Sequence, residues 1–359
     1  MLTGNNLAGN VTYARTLDVL FRGERELCFL PLAHAYSCAF NFLVPMAFGA
    51  HVFLLGKLPS PKILLKAFEE VKPNLILTVP LILEKIYKKM IAPQLNKRTM
   101  KLAMSVPLLN DRIYAQINKK LTNALGGRFR EVIVGGAAMN QEVADFLYKI
   151  KFPYTIGYGM TECGPLISYD NHKEYVPTSC GQILKGIMEV RIDSEDPYNK
   201  VGEIQVRGEN VMKGYYKNEE ATRNVFTDDG WLKTGDLGTI DVNKRIYIRG
   251  RSKTMILSSN GQNIYPEEIE AKLNNLPFVL ESLVVEREGK LVGLVYPDYD
   301  TVDSTGIRHE DLPAIMEQNR KDLNKLLAPY EAVTSIILYP TEFEKTPKRS
   351  IKRYLYENY

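Results

Sequence analysis

Tyr154-Thr-Ile-Gly-Tyr-Gly-Met-Thr-Glu162 decides how this chain is read. An apolar, β-branched run ends in two glycines, a hydroxyl and a carboxylate, the pattern of a strand that stops in a tight loop. Glycine lets a backbone come close to a ligand. A threonine hydroxyl bonds phosphate oxygens, and a glutamate is a hard oxygen ligand of the kind Mg²⁺ takes when it also rides on nucleotide phosphates. Thr161 and Glu162 are therefore the first candidates for phosphate and metal binding. The plainer reading is a strand-to-loop turn with a solvated carboxylate.

Upstream of this loop, from residue 15 to about 157, short apolar strands alternate with helical stretches. Strand patterns fall at 26–31, 51–55, 74–79 and 130–134; helical spacing falls at 61–71, 81–90 and 142–150. The run from Phe40 to Leu55 reads as a buried helix followed by a buried strand. This β-α alternation predicts a parallel sheet covered by helices. After Gly164 the texture changes: 188–192, 202–207 and 245–249 alternate apolar and polar residues, as antiparallel strands with one wet face do. Beyond Gly250 lie a helix from Pro266, strands at 282–286 and 291–296, a helix over 312–327 and a strand over 333–339. The expected fold class is α/β: part of a large parallel-sheet domain with an antiparallel β subdomain over residues 1–250, then a small α+β domain over 251–359.

Bulk properties exclude several functions. The chain has 359 residues and a formal net charge of +4, too small and too dispersed to argue for nucleic acid. Its most apolar run is interrupted by Pro45, Gly49 and His51 and is too short to span a bilayer. Nothing reads as a signal peptide, so a cytoplasmic location is expected and any membrane contact would be peripheral. The four cysteines, Cys28, Cys38, Cys163 and Cys180, show no metal-ligand spacing and read as reduced thiols. Cys163 follows the opening loop, but no histidine lies near it in sequence to activate it.

Four further stretches accompany the opening loop: Val134-Gly-Gly-Ala-Ala-Met139; Gly230-Trp-Leu-Lys-Thr-Gly-Asp-Leu-Gly238, preceded by Val211-Met-Lys-Gly-Tyr-Tyr-Lys-Asn218; 249–270, from Arg249-Gly-Arg-Ser-Lys253 through Asn260-Gly-Gln-Asn-Ile264 to Pro266-Glu-Glu-Ile-Glu270; and Lys345-Thr-Pro347. In this order they resemble the adenylate-forming, AMP-binding superfamily of acyl-CoA synthetases, luciferases and peptide-synthetase adenylation domains. Leu30-Pro-Leu-Ala-His-Ala-Tyr36 and Leu257-Ser-Ser-Asn-Gly-Gln-Asn-Ile264 are most similar to the long-chain fatty acyl-CoA synthetase branch. The resemblance implies that a fatty acid carboxylate attacks the α-phosphate of ATP, pyrophosphate leaves, and coenzyme A then takes the acyl group from the adenylate.

Carried over residue by residue, the resemblance implies that Glu162 holds Mg²⁺ and Thr161 bonds a phosphate. Gly135, Gly136 and Ala137, with Tyr158, Gly159 and Met160, would form the adenine slot. Asp236 would accept the ribose hydroxyls, and Arg251 would reach ribose and phosphate. His34 and Tyr36 would sit where the acyl and phosphate pockets meet, although a histidine in an apolar segment is also an ordinary core residue. Lys253 falls at the hinge between domains, and Gly261 lets a loop approach the pantetheine channel.

Two departures matter. The Ser/Thr/Gly-rich phosphate loop that precedes the segment matching Met1-Leu-Thr-Gly-Asn5 in relatives is absent, as is a long upstream segment. The chain is thus expected to be N-terminally truncated, with exposed apolar surface and impaired turnover. The lysine expected five residues after Lys345 is Ser350; Lys348 and Lys352 flank it and are the candidates to replace it. Two alternatives stay open: a nucleotide-binding module without turnover, and a ligase that loads a carrier protein instead of free coenzyme A. Acyl chain length and oligomeric state are not legible.

Overall fold

The computed structural model describes residues 1–56, 59–95, 100, 103–104, 106–258, 261–346 and 351–356. These residues divide into two compact units, Met1–Thr234 with Thr239–Tyr247, and Gly235–Gly238 with Ile248–Tyr359.

The first unit is organised by five short strands: β1 (Arg25–Cys28), β2 (His51–Leu54), β3 (Leu75–Thr78), β4 (Glu131–Val134) and β5 (Tyr154–Ile156). They form one sheet in the order β2-β1-β3-β4-β5, and every pair in it is parallel. Parallel neighbours require crossovers, and helices Pro61–Val71, Pro107–Ala124 and Gln141–Lys149 supply them. Ser60 caps the first through its side chain, with proline at the first helical position, as the sequence predicts. The helix Pro107–Ala124 was not expected; asparagines and lysines dilute its apolar face, yet Tyr114 and Leu121 are buried in the core with Phe68, Phe129, Phe146 and Leu147. The other departure is β2. It was expected to be buried, but it lies at the sheet edge, paired among the described residues with β1 alone, and Leu54 is 62% exposed.

Strands β6 (Tyr158–Gly159), β7 (Leu166–Tyr169) and β8 (Gln182–Ile183) make a small antiparallel sheet. Strands β9 (Met188–Asp193), β10 (Gly202–Gly208), β11 (Leu232–Ile240) and β12 (Ile246–Arg251) make a four-stranded one in the order β12-β11-β10-β9. Trp231, the chain's single tryptophan, is buried between the guanidinium groups of Arg191 and Arg207, each 4.6 Å from its ring. The observed class is therefore mixed α/β, with one parallel sheet and separate antiparallel sheets, as the sequence reading expects.

In the second unit, β13 (Ile256–Leu257) pairs with β14 (Asn263–Ile264), and β15 (Val279–Arg287), β16 (Lys290–Pro297) and β17 (Val333–Leu338) form a mixed sheet. Helices Pro266–Leu273 and Leu312–Asn324 cover one face, burying Leu273, Met316 and Leu323 on Val284 and Val295. Phe343 and Tyr356 cover the other, against Leu283 and Leu294.

Two buried polar devices hold the first unit. Helix Gly4–Ala14 presents Asn6 and Asn10 one turn apart. The Asn10 side-chain amide donates to the carbonyls of Asn6 (2.9 Å) and Gly164 (2.5 Å), and its oxygen accepts from the Leu166 N–H (3.1 Å). Asn6 donates to the carbonyls of Glu209 and Val211 at 2.7 and 2.8 Å. In β1, Glu26 is fully buried and accepts from Asn41 at 2.5 Å, while its Oε2 has no partner. Burial without a counter-charge pushes its carboxyl up to about 8.

Asn10→Ala should cost about 2–4 kcal/mol, because it leaves a buried N–H and carbonyl unpaired. Urea unfolding followed by Trp231 emission should show a lowered midpoint. Glu26 makes a pH prediction. Between the ordinary carboxyl range and about pH 8 the folded chain keeps this proton and the unfolded chain releases it, so stability falls as pH rises. Glu26→Gln should flatten that fall, with a gain over the unsubstituted chain of up to about 4 kcal/mol above pH 8. Equal slopes for both chains would contradict it.

Candidate active site

Parallel pairing places the carboxyl ends of β1, β3, β4 and β5 on one side of the sheet. The strand order reverses direction between β1 and β3, the position at which open α/β sheets bind ligands. The loops leaving that side carry most of the sequence candidates.

After β4 the chain turns at Gly135, whose N–H donates to the Thr78 carbonyl at 3.1 Å. A Cβ there would lie 3.2 Å from Cζ of Tyr36, which comes from the loop after β1. The Tyr36 hydroxyl donates to the Ile133 carbonyl at 3.1 Å, so the ring lies against this loop. Gly136 has φ 90°, a left-handed conformation that favours glycine, and Gly136 and Ala137 are exposed. At the loop's far end the Asn140 N–H donates to Glu84 Oε1 at 2.8 Å, and the Asn140 side chain accepts from the Val143 N–H, capping helix Gln141–Lys149. Burial raises the Glu84 carboxyl.

After β5 the Gly157 N–H donates to the Val134 carbonyl at 2.9 Å, which ties the two loops together at their roots. Tyr158 is buried. Gly159 leaves no room for a side chain: a Cβ would stand 2.2 Å from the Pro165 carbonyl oxygen. The Met160 N–H donates to that same oxygen at 2.9 Å. Thr161–Cys163 is a single 3₁₀ turn with Thr161 exposed and Glu162 half-buried. The Tyr215 hydroxyl donates to Glu162 Oε1 at 3.0 Å, and the Met212 N–H donates to the Glu162 carbonyl at 2.7 Å. Burial, then the Glu162 charge, pushes the Tyr215 phenol up to about 12.

One carboxylate on an exposed turn, beside a hydroxyl, suits a Mg²⁺ that arrives with nucleotide phosphates and keeps its waters. Among the described residues no group of three or more His, Cys, Asp or Glu could hold a metal by itself. Cys163 is buried, and burial pushes its thiol far above the usual range, so it is not a nucleophile. His34 is half-buried at the head of the Ala35–Ser37 turn. His51 is exposed on the edge strand, and His172 bonds Glu131 at 3.1 Å, away from these loops in sequence.

In the second unit Asp236 is buried on β11, and Arg251 Nε lies 3.0 Å from its Oδ1. Lys253 is exposed in the turn that follows, where the N–H groups of Thr254 and Met255 donate to the Arg251 carbonyl. Gly261 has φ 80° and open space around its Cα. Lys345 Nζ bonds Glu281 at 2.7 Å. Lys352 Nζ lies 3.1 Å from Glu344 Oε2, which raises its ammonium pKa. Lys348 and Ser350 lie outside the described residues. Arg353 grips both oxygens of Glu270 at 2.8 Å, and burial still holds that carboxyl up at about 7.

Sequence reasoning missed Asn6, Asn10, Glu84 and the role of Tyr215. Three asparagines in one short helix, two of them four residues apart in Gly4-Asn-Asn-Leu-Ala-Gly-Asn10, were the available signal.

Comparison with known proteins agrees with this architecture. Long-chain-fatty-acid–CoA ligase FadD15 of Mycobacterium bovis is 28% identical over 98% of this chain, which spans 64% of that protein. The peroxisomal long-chain acyl-CoA synthetase 7 of Arabidopsis thaliana is 30% identical over 98% of this chain, which spans 56% of it. Among solved structures, the O-succinylbenzoate coenzyme A synthetase MenE of Bacillus subtilis in complex with AMP superposes with a TM-score of 0.76 at 22% identity, covering 100% of this chain and 66% of its own. No helix among the described residues is long and apolar enough to cross a membrane. The profile of the AMP-binding enzymes matches residues 1–216, and the chain belongs to that family.

Proposed function

We propose that the chain performs the chemistry of an ATP-dependent fatty acid–CoA ligase: acyl-adenylate formation followed by transfer to coenzyme A. The observation that carries this reading is the convergence of three loops, those after β1, β4 and β5, at one end of the parallel sheet, with Tyr36 laid on Gly135 and Gly157 bonded to Val134. Curated relatives named as long-chain-fatty-acid–CoA ligases support the substrate class.

In this reading the adenine lies along the backbone of Gly135–Ala137 and Tyr158–Met160, whose exposed positions include Gly136, Ala137 and Gly159. Asp236 accepts both ribose hydroxyls with its two oxygens, and Arg251, already paired with it, reaches toward ribose and phosphate. Thr161 donates to a phosphate oxygen. Glu162 would hold Mg²⁺, an ion bound with ATP in a second MenE structure; when bound it neutralises phosphate charge that would otherwise repel the incoming carboxylate. His34 and Tyr36 border the acyl group at its carboxyl end. A cation near the bridging oxygen stabilises the charge that develops as pyrophosphate departs; Lys348 or Lys352 supplies it in place of Ser350. Lys253 lies at the turn between the two functional poses, and Gly261 admits pantetheine in the second.

Calorimetry and exchange assays test the reading. The chain should bind AMP, and should exchange labelled pyrophosphate into ATP in the presence of hexadecanoate and form hexadecanoyl-CoA slowly, in keeping with the impaired turnover expected from its sequence. Asp236→Asn should weaken AMP binding about 10–100-fold, the loss expected for charged hydrogen bonds to ribose. Absence of AMP binding in the unsubstituted chain, or equal affinity in the variant, would overturn the assignment. The paired substitution Lys348→Ala with Lys352→Ala should slow adenylate formation about 100-fold while leaving thioester formation from preformed acyl-adenylate intact. A double variant that adenylates at the unsubstituted rate excludes both lysines.

A further inference from the structure

The stretch Val211-Met-Lys-Gly-Tyr-Tyr-Lys-Asn218 has no role in the assignments above, yet it touches the candidate metal ligand at two points. The Met212 N–H donates to the Glu162 carbonyl at 2.7 Å, and the Tyr215 hydroxyl donates to Glu162 Oε1 at 3.0 Å. Several features fix that hydroxyl in place. Gly214 has φ 142°, and a Cβ on it would meet Thr222 Cγ2 at 2.6 Å, so the chain passes this point only as glycine. The Tyr215 N–H donates to Thr222 Oγ1 at 2.9 Å, and that hydroxyl donates in turn to the Asn218 carbonyl at 2.8 Å. Asn218 caps helix Glu219–Val225 through the Ala221 N–H at 3.0 Å, which sets the position of Thr222. From the other side, Asn6 holds the carbonyls of Glu209 and Val211. The neighbouring Tyr216, by contrast, is 71% exposed.

We propose that Tyr215 is a positioning residue for the metal-binding carboxylate: its hydroxyl occupies one lone pair of Glu162 Oε1 and orients the carboxylate toward nucleotide-bound Mg²⁺. This rests on the assignment of Glu162 above. Ligating carboxylates are held by such outer partners, and loss of one costs about 10–100-fold in metal affinity. The segment Gly214–Thr222 is thus a brace whose product is one oriented hydroxyl.

The test is calorimetric ATP binding in EDTA and in excess Mg²⁺, so that turnover plays no part. The unsubstituted chain should bind ATP more tightly with Mg²⁺, and Glu162→Gln should abolish that gain. Tyr215→Phe should cut the gain about 10–100-fold while AMP affinity in EDTA stays unchanged, a split that a general packing defect does not produce. Thr222→Ala, which loosens the brace but keeps the phenol, should cut it less. A full gain in Glu162→Gln would sink the metal assignment, and with it this proposal. Loss in Glu162→Gln with a full gain in Tyr215→Phe would sink the role of Tyr215 alone. Equal loss of AMP and Mg·ATP binding in Tyr215→Phe, or no Mg²⁺-dependent gain in the unsubstituted chain, also overturns it.

Discussion

Parallel pairing of β4 with β5 is the constraint on which the candidate site depends. Their register, Val132 with Tyr154 through Val134 with Ile156, brings both strands to an end at the same level. Gly135 and Gly157 therefore leave the sheet side by side, and the Gly157 N–H takes up the last carbonyl of β4. Because parallel strands return through crossover helices, β1 and β3 end on that side too. Past these last ladder bonds the chain rises into the exposed loop tips at Gly136 and Ala137. The same geometry delivers Tyr36 to the Gly135 backbone without any local sequence relation between them.

Polar side chains behind these loops tie them down. Asn10 bonds on both sides of Pro165, which fixes the chain just beyond the Thr161–Cys163 turn. Glu84 and the Asn140 cap fix the far end of the Gly135 loop. Asn10 is expensive to remove because its partners would be left buried and unsatisfied. The exposed tips, Gly136, Ala137 and Thr161, carry no such bonds to the core and are left for a ligand. In the second unit the same principle applies to the chain's last described residues, where Arg353 ties the segment after Ile351 to Glu270 beneath the sheet.

Much of this was legible in the sequence where local chemistry and tertiary structure agree. Ser60-Pro61 marks a helix start that the fold keeps, and Val134-Gly-Gly and Ile156-Gly-Tyr-Gly mark strand ends where glycine is needed for space. The rest depended on partners distant in sequence. Whether β2 is central or at an edge is decided by which strands flank it, and its apolar composition misled on that point. Asn10 looks like a poor helix residue until the loop 154 residues away is placed against it. Glu26 opens a strand pattern whose sequence does not say which way the carboxyl faces, and at its register beside Leu75 it is fully buried. Tyr215 is one of two adjacent tyrosines, and only the packing of Gly214 on Thr222 separates the one that turns inward from the one that faces water.

The central claim is that adenine nucleotide binds at the carboxyl end of the parallel sheet. Photolabelling with 8-azido-ATP, followed by peptide mapping, tests it most directly. The account predicts label in the peptides carrying Gly135–Ala137 and Tyr158–Glu162, competed away by AMP. Label that resists AMP, or that falls on the helices or at the opposite end of the strands, would contradict it.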